Sequence, residues 1–514
     1  MTIKIVPLMG DMEESLYQLG LAEKDAFLKI EERVQKLISK NSLLRNGQDI
    51  IARAKILLKK KEETLFSKAV ESYAKGLGVD KVRYLSFLSL FEMAAHYGQA
   101  FPELKGMLPG CTSLFQKQGN DITHSRIFDF PLVDTFETSS RLYYWKFEGM
   151  PQILNFSCEG LAPLFIQAIH ECGMSFALHH KPGTSFHQDG LGIFQIIFET
   201  MFESKNHNDF RKGIKKRESV TKWGLLFSEI SGTVFHLDID GPSQRIETFN
   251  LHEISPLIFT NIPLQTDDGK SIESYMRFSQ MRQDWLKSRL TSSKLPILDL
   301  LTHVSDDKDK SFLHPCSTLA TVGAYHINQS QGFIELKFGA GALTKSDGVI
   351  RFNMGEFSQG QITKAPEKIS EFEDAWKRAS RAQSFFDQEK LDFAYHEIQM
   401  AIEIMPSLHW KNIFKFYLYH WDFMVLQNNK ELSMIYKKLK KLTLPKELYP
   451  QWKILCCRFE MKLGLSVDSV TDLPEDLQAL MTQEKEAPKA LWLTWMKLIY
   501  PRLEILDTFS PHQK

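Results

Sequence analysis

One short stretch brings together a thiol, a guanidinium and a carboxylate. Gly110-Cys111-Thr112-Ser113-Leu114 is followed by His124-Ser125-Arg126-Ile127-Phe128-Asp129-Phe130. A cysteine in an apolar strand is ordinarily an inert core residue. Three features point instead to a nucleophile. Cys111 follows a helical region that ends in glycine, at the point where the chain turns to strands. Arg126 and Asp129 come shortly after it, as a second strand of a hairpin would place them. A Thr260-Asn261 pair closes a later apolar run, Leu257-Ile258-Phe259.

The elements that must carry these residues fall into three spans. Residues 1–110 read as helical, with a period near 3.6 through Glu13–Leu44, Asp49–Leu77 and Lys81–Tyr97. Gly76-Leu77-Gly78 breaks that pattern, and Leu108-Pro109-Gly110 closes it. Residues 111–364 are strand-rich, with runs at Cys111–Phe115, Thr123–Phe130, Leu142–Phe147, Gln152–Ser157, Ser175–Leu178, Trp223–Phe227, Val234–Asp240, Leu257–Thr260, Thr318–Tyr325 and Gly332–Phe338. Two central helices are expected, Asp189–Phe202 continuing into Phe210–Arg217, and Ser271–Ser288. Strands, two helices and strands again imply an α+β layered fold. Residues 365–514 return to helix. There Ala382, Phe385, Ala394, Ile398, Ala401 and Pro406 follow the spacing of one tetratricopeptide (TPR) unit, and a TPR-like all-α domain is expected.

Composition removes several classes. The 514 residues carry 63 Lys+Arg against 63 Asp+Glu, so no whole-molecule field draws the chain to nucleic acid or an anionic membrane. Six cysteines without a CxxC are neither a disulfide framework nor a zinc module. No apolar run is long enough to cross a bilayer, and the start of the chain lacks a signal-peptide h-region. The expectation is a cytoplasmic protein in a reducing compartment, with no metal and no cofactor. A protein partner is expected at the C-terminal helices.

Taken in order, the motifs resemble the N-terminal-nucleophile (Ntn) hydrolases. The resemblance is to the autoproteolytic acyltransferases and amidases related to isopenicillin N acyltransferase, and more distantly to acid ceramidase and choloylglycine hydrolase. Leu90-Phe91-Glu92-Met93 matches the end of the family's helical pro-segment, Gly110-Cys111-Thr112-Ser113 its nucleophile, and His124–Phe130 its second strand. Thr260-Asn261-Ile262 and Ser274-Tyr275-Met276-Arg277 through Arg282 match two later motifs. The resemblance covers about residues 60–345.

It implies a four-layer αββα Ntn sandwich with an N-terminal helical pro-segment and the C-terminal helical domain behind it. It also implies self-cleavage between Gly110 and Cys111, which frees an α-amino group with a pKa close to that of a neutral-pH general base. Cys111 would attack the carbonyl of a small-molecule amide or acyl thioester, the substrate class the resemblance implies, and Arg126 would favour its thiolate. Asp129 would orient the α-ammonium, Asn261 would donate to the oxyanion, and Arg277 would complete the polar cluster. The family's second oxyanion asparagine is missing where Leu178 runs into His179-His180, so His179 is the substitute donor, and Ile127 stands where an asparagine is common. The group His179, His180, His187 and Asp189 fits no standard zinc spacing and reads as solvated loop polarity around Pro182-Gly183. Gly339-Ala340-Gly341 reads as a turn, and Lys59-Lys60-Lys61 and Arg211–Arg217 as solvated faces. The alternative is a catalytically silent Ntn-like scaffold that presents the C-terminal helices.

Overall fold

The structure is a computed structural model that describes residues 3–39, 63–100, 110–130, 139–181, 186–187, 189–264, 277–290, 293–304, 316–353, 360–473 and 475–498. Leu108-Pro109, Lys59-Lys60-Lys61, Pro182-Gly183 and Ser274-Tyr275-Met276 lie outside them, as do the side chain of Arg277 and residues 499–514.

Fifteen strands are described: β1 (Lys4–Gly10), β2 (Cys111–Gln118), β3 (Asp121–Asp129), β4 (Ser140–Phe147), β5 (Ile153–Cys158), β6 (Gln167–His170), β7 (Ser175–His180), β8 (Lys222–Ser228), β9 (Thr233–Asp240), β10 (Ser243–Asn250), β11 (Leu257–Phe259), β12 (Thr321–Asn328), β13 (Phe333–Phe338), β14 (Gly348–Asn353) and β15 (Gln361–Lys364). They form two sheets. The first runs β1-β4-β5-β6-β7-β8-β9-β10, and the second β11-β2-β3-β12-β13-β14-β15. All pairings are antiparallel except β1 with β4.

Helices α1 (Met12–Ser39), α2 (Leu65–Leu77), α3 (Lys81–Ala100), α4 (Ile193–Glu203) and α5 (His207–Lys215) belong to the first sheet's core. Trp145 of β4 meets Phe198 and Phe202 of α4, and Phe66 of α2 meets Phe198. On the far side, Leu114, Ile127 and Ile258 of the second sheet pack on Trp285 and Leu286 of α6 (Arg277–Leu290) and on Leu300 and Leu301 of α7 (Ile297–Leu301). Between the sheets, Phe156 of β5 meets Tyr325 of β12 at 4.6 Å. The order is therefore helix, sheet, sheet, helix.

The first span is not all helix. Lys4–Gly10 is a parallel edge strand on β4, because its Ile-Val-Pro-Leu-Met run suits an extended backbone and Pro7 is tolerated at an edge. The same span also plugs two carboxylates into the core. Glu23 of α1 accepts from the Tyr73 and Tyr143 hydroxyls and from Gly160 N–H, and Glu92 of α3 accepts from Ile193 N–H at the start of α4, from Thr221 and from Trp223. Burial raises both to about 7.

Residues 371–498 form seven α-helices and one short 3-10 helix (Lys446–Leu448) among the described residues: α8 (Glu371–Asp387), α9 (Leu391–Ile404), α10 (Leu408–Val425), α11 (Asn429–Leu439), α12 (Tyr449–Leu463), α13 (Glu475–Glu486) and α14 (Lys489–Leu498). Ala375, Ala379 and Ala382 of α8 and Ala394 and Ala401 of α9 are fully buried. Ser370 caps α8 through a capping box with Glu373. The helices join the sandwich through α8: Ser380 Oγ donates to Leu319 O at 2.6 Å, and Lys377 Nζ meets Asp347 at 2.8 Å. No helix among the described residues is long and apolar enough to cross a membrane.

Candidate active site

The hairpin of β2 and β3 sets the chemistry. It turns at Gly119, whose φ of 60° is in the left-handed region open to glycine. Its register places Cys111 opposite Phe128 and Ser113 opposite Arg126. Side chains alternate along a strand, so Cys111, Ser113 and Arg126 share the face between the sheets, while Thr112 and Asp129 face α6.

On the inner face, Arg126 is fully buried, and both of its terminal nitrogens are engaged. Its Nη2 lies 3.0 Å from Cys111 Sγ and 2.5 Å from Leu178 O, and its Nη1 donates to Ile166 O and Gln167 Oε1. Burial raises the Cys111 thiol above its ordinary pKa, and the Arg126 charge and hydrogen bond oppose that rise without cancelling it. The thiol is therefore held neutral beside a fixed cation, and a base must take its proton before it attacks.

The outer face holds the backbone on either side of the Gly110–Cys111 bond. Asp129 N–H donates to Gly110 O at 2.8 Å. Cys111 N–H donates to Asn261 Oδ1 at 2.9 Å. The Asp129 carboxylate accepts from Thr321 Oγ1 at 2.6 Å and faces Arg282 Nη1 at 3.3 Å, and burial raises its pKa against the pull of Arg282. A Cβ on Gly110 would stand 2.5 Å from Asp129 Oδ2, so only glycine fits there.

Asn261 lies two residues beyond β11. Besides receiving the Cys111 N–H, its Oδ1 accepts from Arg282 Nη2 at 3.0 Å, and its Nδ2 donates to His180 O at 2.9 Å. The contact with the Cys111 nitrogen thus falls to Asn261, with Asp129 behind it on the neighbouring carbonyl. Arg282 also donates to Thr112 Oγ1 at 3.1 Å, so one guanidinium ties Thr112, Asp129 and Asn261 together. The sequence names Arg282 only as the end of a motif. Its signal was its position three and four residues before Trp285 and Leu286, on the buried stripe of α6.

His179 sits in the same layer but is turned elsewhere. Its Nδ1 is 3.3 Å from Thr260 O and its Nε2 2.8 Å from Ser113 Oγ. A carbonyl only accepts, so the Nδ1 carries the proton and the Nε2 accepts from Ser113. Burial holds His179 well below its ordinary pKa. His124 continues the chain, with Nε2 3.3 Å from the same Ser113 Oγ and Nδ1 3.0 Å from Ser175 Oγ. His179 and His180 are buried at the end of β7, unlike the solvated loop that the sequence suggests, because β8 and the Thr260 turn cover them. His187 pairs separately with Asp240 at 3.3 Å. Among the described residues no group of three His, Cys, Asp or Glu could hold a metal ion, and all six cysteines are free.

Two face-to-face sheets between helical layers, with a cysteine opening an inner strand, form the αββα architecture expected from the Ntn resemblance. Neither a family profile nor a curated protein matches the sequence. Among solved structures, the chain is similar to an N-acylethanolamine-hydrolyzing acid amidase ortholog from Caenorhabditis elegans (12% identity, TM-score 0.30, 43% of this chain and 93% of that one). It is also similar to a conjugated bile acid hydrolase from Clostridium perfringens (10%, 0.31, 49% and 96%). A third is a penicillin V acylase from Agrobacterium tumefaciens (9%, 0.28, 51% and 99%). Likeness at this level says nothing of what the chain acts on.

Proposed function

We propose that this protein is a self-processing cysteine amidohydrolase or acyltransferase in which Cys111 becomes an N-terminal nucleophile. One observation carries the reading. The Gly110–Cys111 peptide has a hydrogen-bond donor on its carbonyl (Asp129 N–H), an acceptor on its nitrogen (Asn261 Oδ1), and a thiol beside a buried cation on the same residue.

In the proposed self-cleavage, Cys111 Sγ attacks the Gly110 carbonyl carbon while Asp129 N–H stabilises the developing oxyanion. The C–N bond breaks, the acyl group moves to sulfur, and the nitrogen takes up the thiol proton. Water then hydrolyses the thioester, leaving the Gly110 carboxylate and a free Cys111 amine. In turnover, that amine accepts the thiol proton and Sγ adds to the substrate carbonyl. The leaving amine or thiol departs with a proton, and water or an acceptor amine releases the acyl group. Asn261 is assigned to the oxyanion, because its Nδ2 carries two hydrogens and the bond to His180 O uses one. Arg282 holds Asn261 and Asp129 within the polar cluster, and Arg277, which the resemblance adds to that cluster, is proposed to act beside it.

The substrate class proposed is a linear amide or acyl thioester of a small molecule. The helices from residue 371 onward are proposed to form TPR-like hairpins that bind a protein. The test compares wild type with Cys111→Ala on a panel of N-acyl amides, with and without an added acceptor amine. Loss of all turnover in Cys111→Ala supports the reading, and retained turnover refutes it.

A further inference from the structure

Asn261 needs outside support. The strand before it, β11, has three residues and lies at the edge of its sheet, so the ladder ends before Asn261 is reached. The turn is held instead from the opposite sheet. Lys181, directly after β7, is fully buried, and its Nζ donates to Thr260 O at 3.1 Å and to Ile262 O at 2.5 Å, the carbonyls on either side of Asn261. Its stem reaches them across bare backbone, because a Cβ on Gly224 of β8 would lie 2.2 Å from Lys181 Cε. Asp238 of β9 lies 3.9 Å from the ammonium, and its Oδ2 accepts Leu264 N–H at 2.7 Å. Two adjacent charged side chains therefore pin the turn at residues 260, 262 and 264.

A buried ammonium is costly to desolvate, and one hydrogen-bonded to two carbonyls in a single turn acts as a rigid clamp. Replacing it with an apolar side chain would take the ammonium from Ile262 O, leave Thr260 O to His179 alone, and strip Asp238 of its buried cation. We propose that Lys181, backed by Asp238, is a positioning residue that fixes Asn261 against the Cys111 nitrogen. This rests on the assignment of Asn261 to the reaction. Lys181 touches no reacting atom and acts through Asn261. The cation stays in place at neutral pH, since burial lowers it only to about 8.

The test is a double-mutant cycle on the full chain. Lys181→Met is combined with Asp238→Asn, which removes the stranded charge and keeps an acceptor for Leu264 N–H. Both are introduced into wild type and into Asn261→Ala. The K181M/D238N pair is expected to melt below wild type, because Ile262 O loses its donor, yet to stay folded under assay conditions and lose turnover by about 10- to 100-fold with KM little changed. In the Asn261→Ala background the same pair should cost nothing further. Gly224→Ala, whose Cβ displaces the Lys181 stem, gives the same loss without removing charge and serves if the pair folds poorly. Wild-type turnover in a folded K181M/D238N or G224A variant, or an equal loss in both backgrounds, overturns the proposal. Cys111→Ala run alongside separates the two levels. If it turns over like wild type, the nucleophile reading has failed and this proposal with it. If it is inactive and the losses are additive, only the assignment of Lys181 is wrong.

Discussion

The side-chain oxygen of Asn261 accepts the backbone N–H of Cys111 at 2.9 Å, across 150 residues of sequence. That bond joins an edge turn to the peptide nitrogen that self-cleavage would release, and it gives Asn261 two uses. Its oxygen holds the nitrogen, and its amide group serves the oxyanion. Asn261→Ala should lower turnover by about 100- to 1,000-fold. Asn261→Asp should restore the grip on the nitrogen but not the oxyanion donor. Initial rates of self-cleavage and of substrate hydrolysis, measured separately, check this.

Arg126 faces the thiol with a fixed positive charge and holds three further acceptors. Without it, only the weaker pull of Arg282 opposes burial at Cys111, and the thiol pKa rises further. Arg126→Met should therefore slow Cys111 alkylation and move its pH profile to higher pH. Iodoacetamide labelling followed by mass across a pH series measures both. An unchanged profile would mean that the guanidinium serves packing alone.

Gly110 is fitted to Asp129 so closely that a methyl group would meet the carboxylate at 2.5 Å. Gly110→Ala should stop or strongly slow self-cleavage while leaving the sandwich folded. Asp129→Ala, introduced with it, should relieve the clash without restoring cleavage, because the Arg282 network loses its carboxylate. Time courses on denaturing gels read the outcome.

Much of this site was visible as residue types. Cys111, Arg126 and Asp129 lie on one hairpin, so their separation along the chain nearly dictates their faces. Arg282 and Lys181 were not visible as site residues, because their roles depend on contacts between layers. A helix had to settle on one sheet and β7 had to face β11 before either met Asn261. The edge strands β10 and β15 give no clean alternation, because β10 is half-buried along most of its length and β15 is largely exposed. β1 was absorbed into a helical span, since a single edge strand before a long helix leaves only seven residues of signal.

Glu23 and Glu92 tie the first span to the sandwich, and both have folded-state pKa values raised to about 7 against an ordinary value of 4.5. Their contribution is fully present below about pH 4.5 and is lost as pH rises through about 7. The buried histidines His124 and His179 run the other way, with depressed values that favour the fold above their ordinary pKa. The difference in melting temperature between wild type and Glu23→Gln or Glu92→Gln isolates the carboxylates. Relative to the variant, wild type should lose stability as pH is raised from 5 to 8. A pH-independent difference would refute the coupling.

In the C-terminal helices, Arg458 of α12 and Glu484 of α13 form an ion pair at 2.6 Å with neither side chain exposed. Removing one partner strands the other charge, so Arg458→Ala should destabilise the helical region by about 3–5 kcal/mol. Arg458→Met with Glu484→Leu should recover much of that loss. Urea unfolding followed by far-UV circular dichroism measures both.

The central claim is that the cut before Cys111 makes the enzyme. Intact mass and N-terminal sequencing of purified wild type and Cys111→Ala test it most directly. The account predicts that wild type yields two associated fragments, residues 1–110 and a second beginning at Cys111, whereas Cys111→Ala stays whole and inactive. A wild-type protein that stays whole yet hydrolyses acyl amides would contradict it.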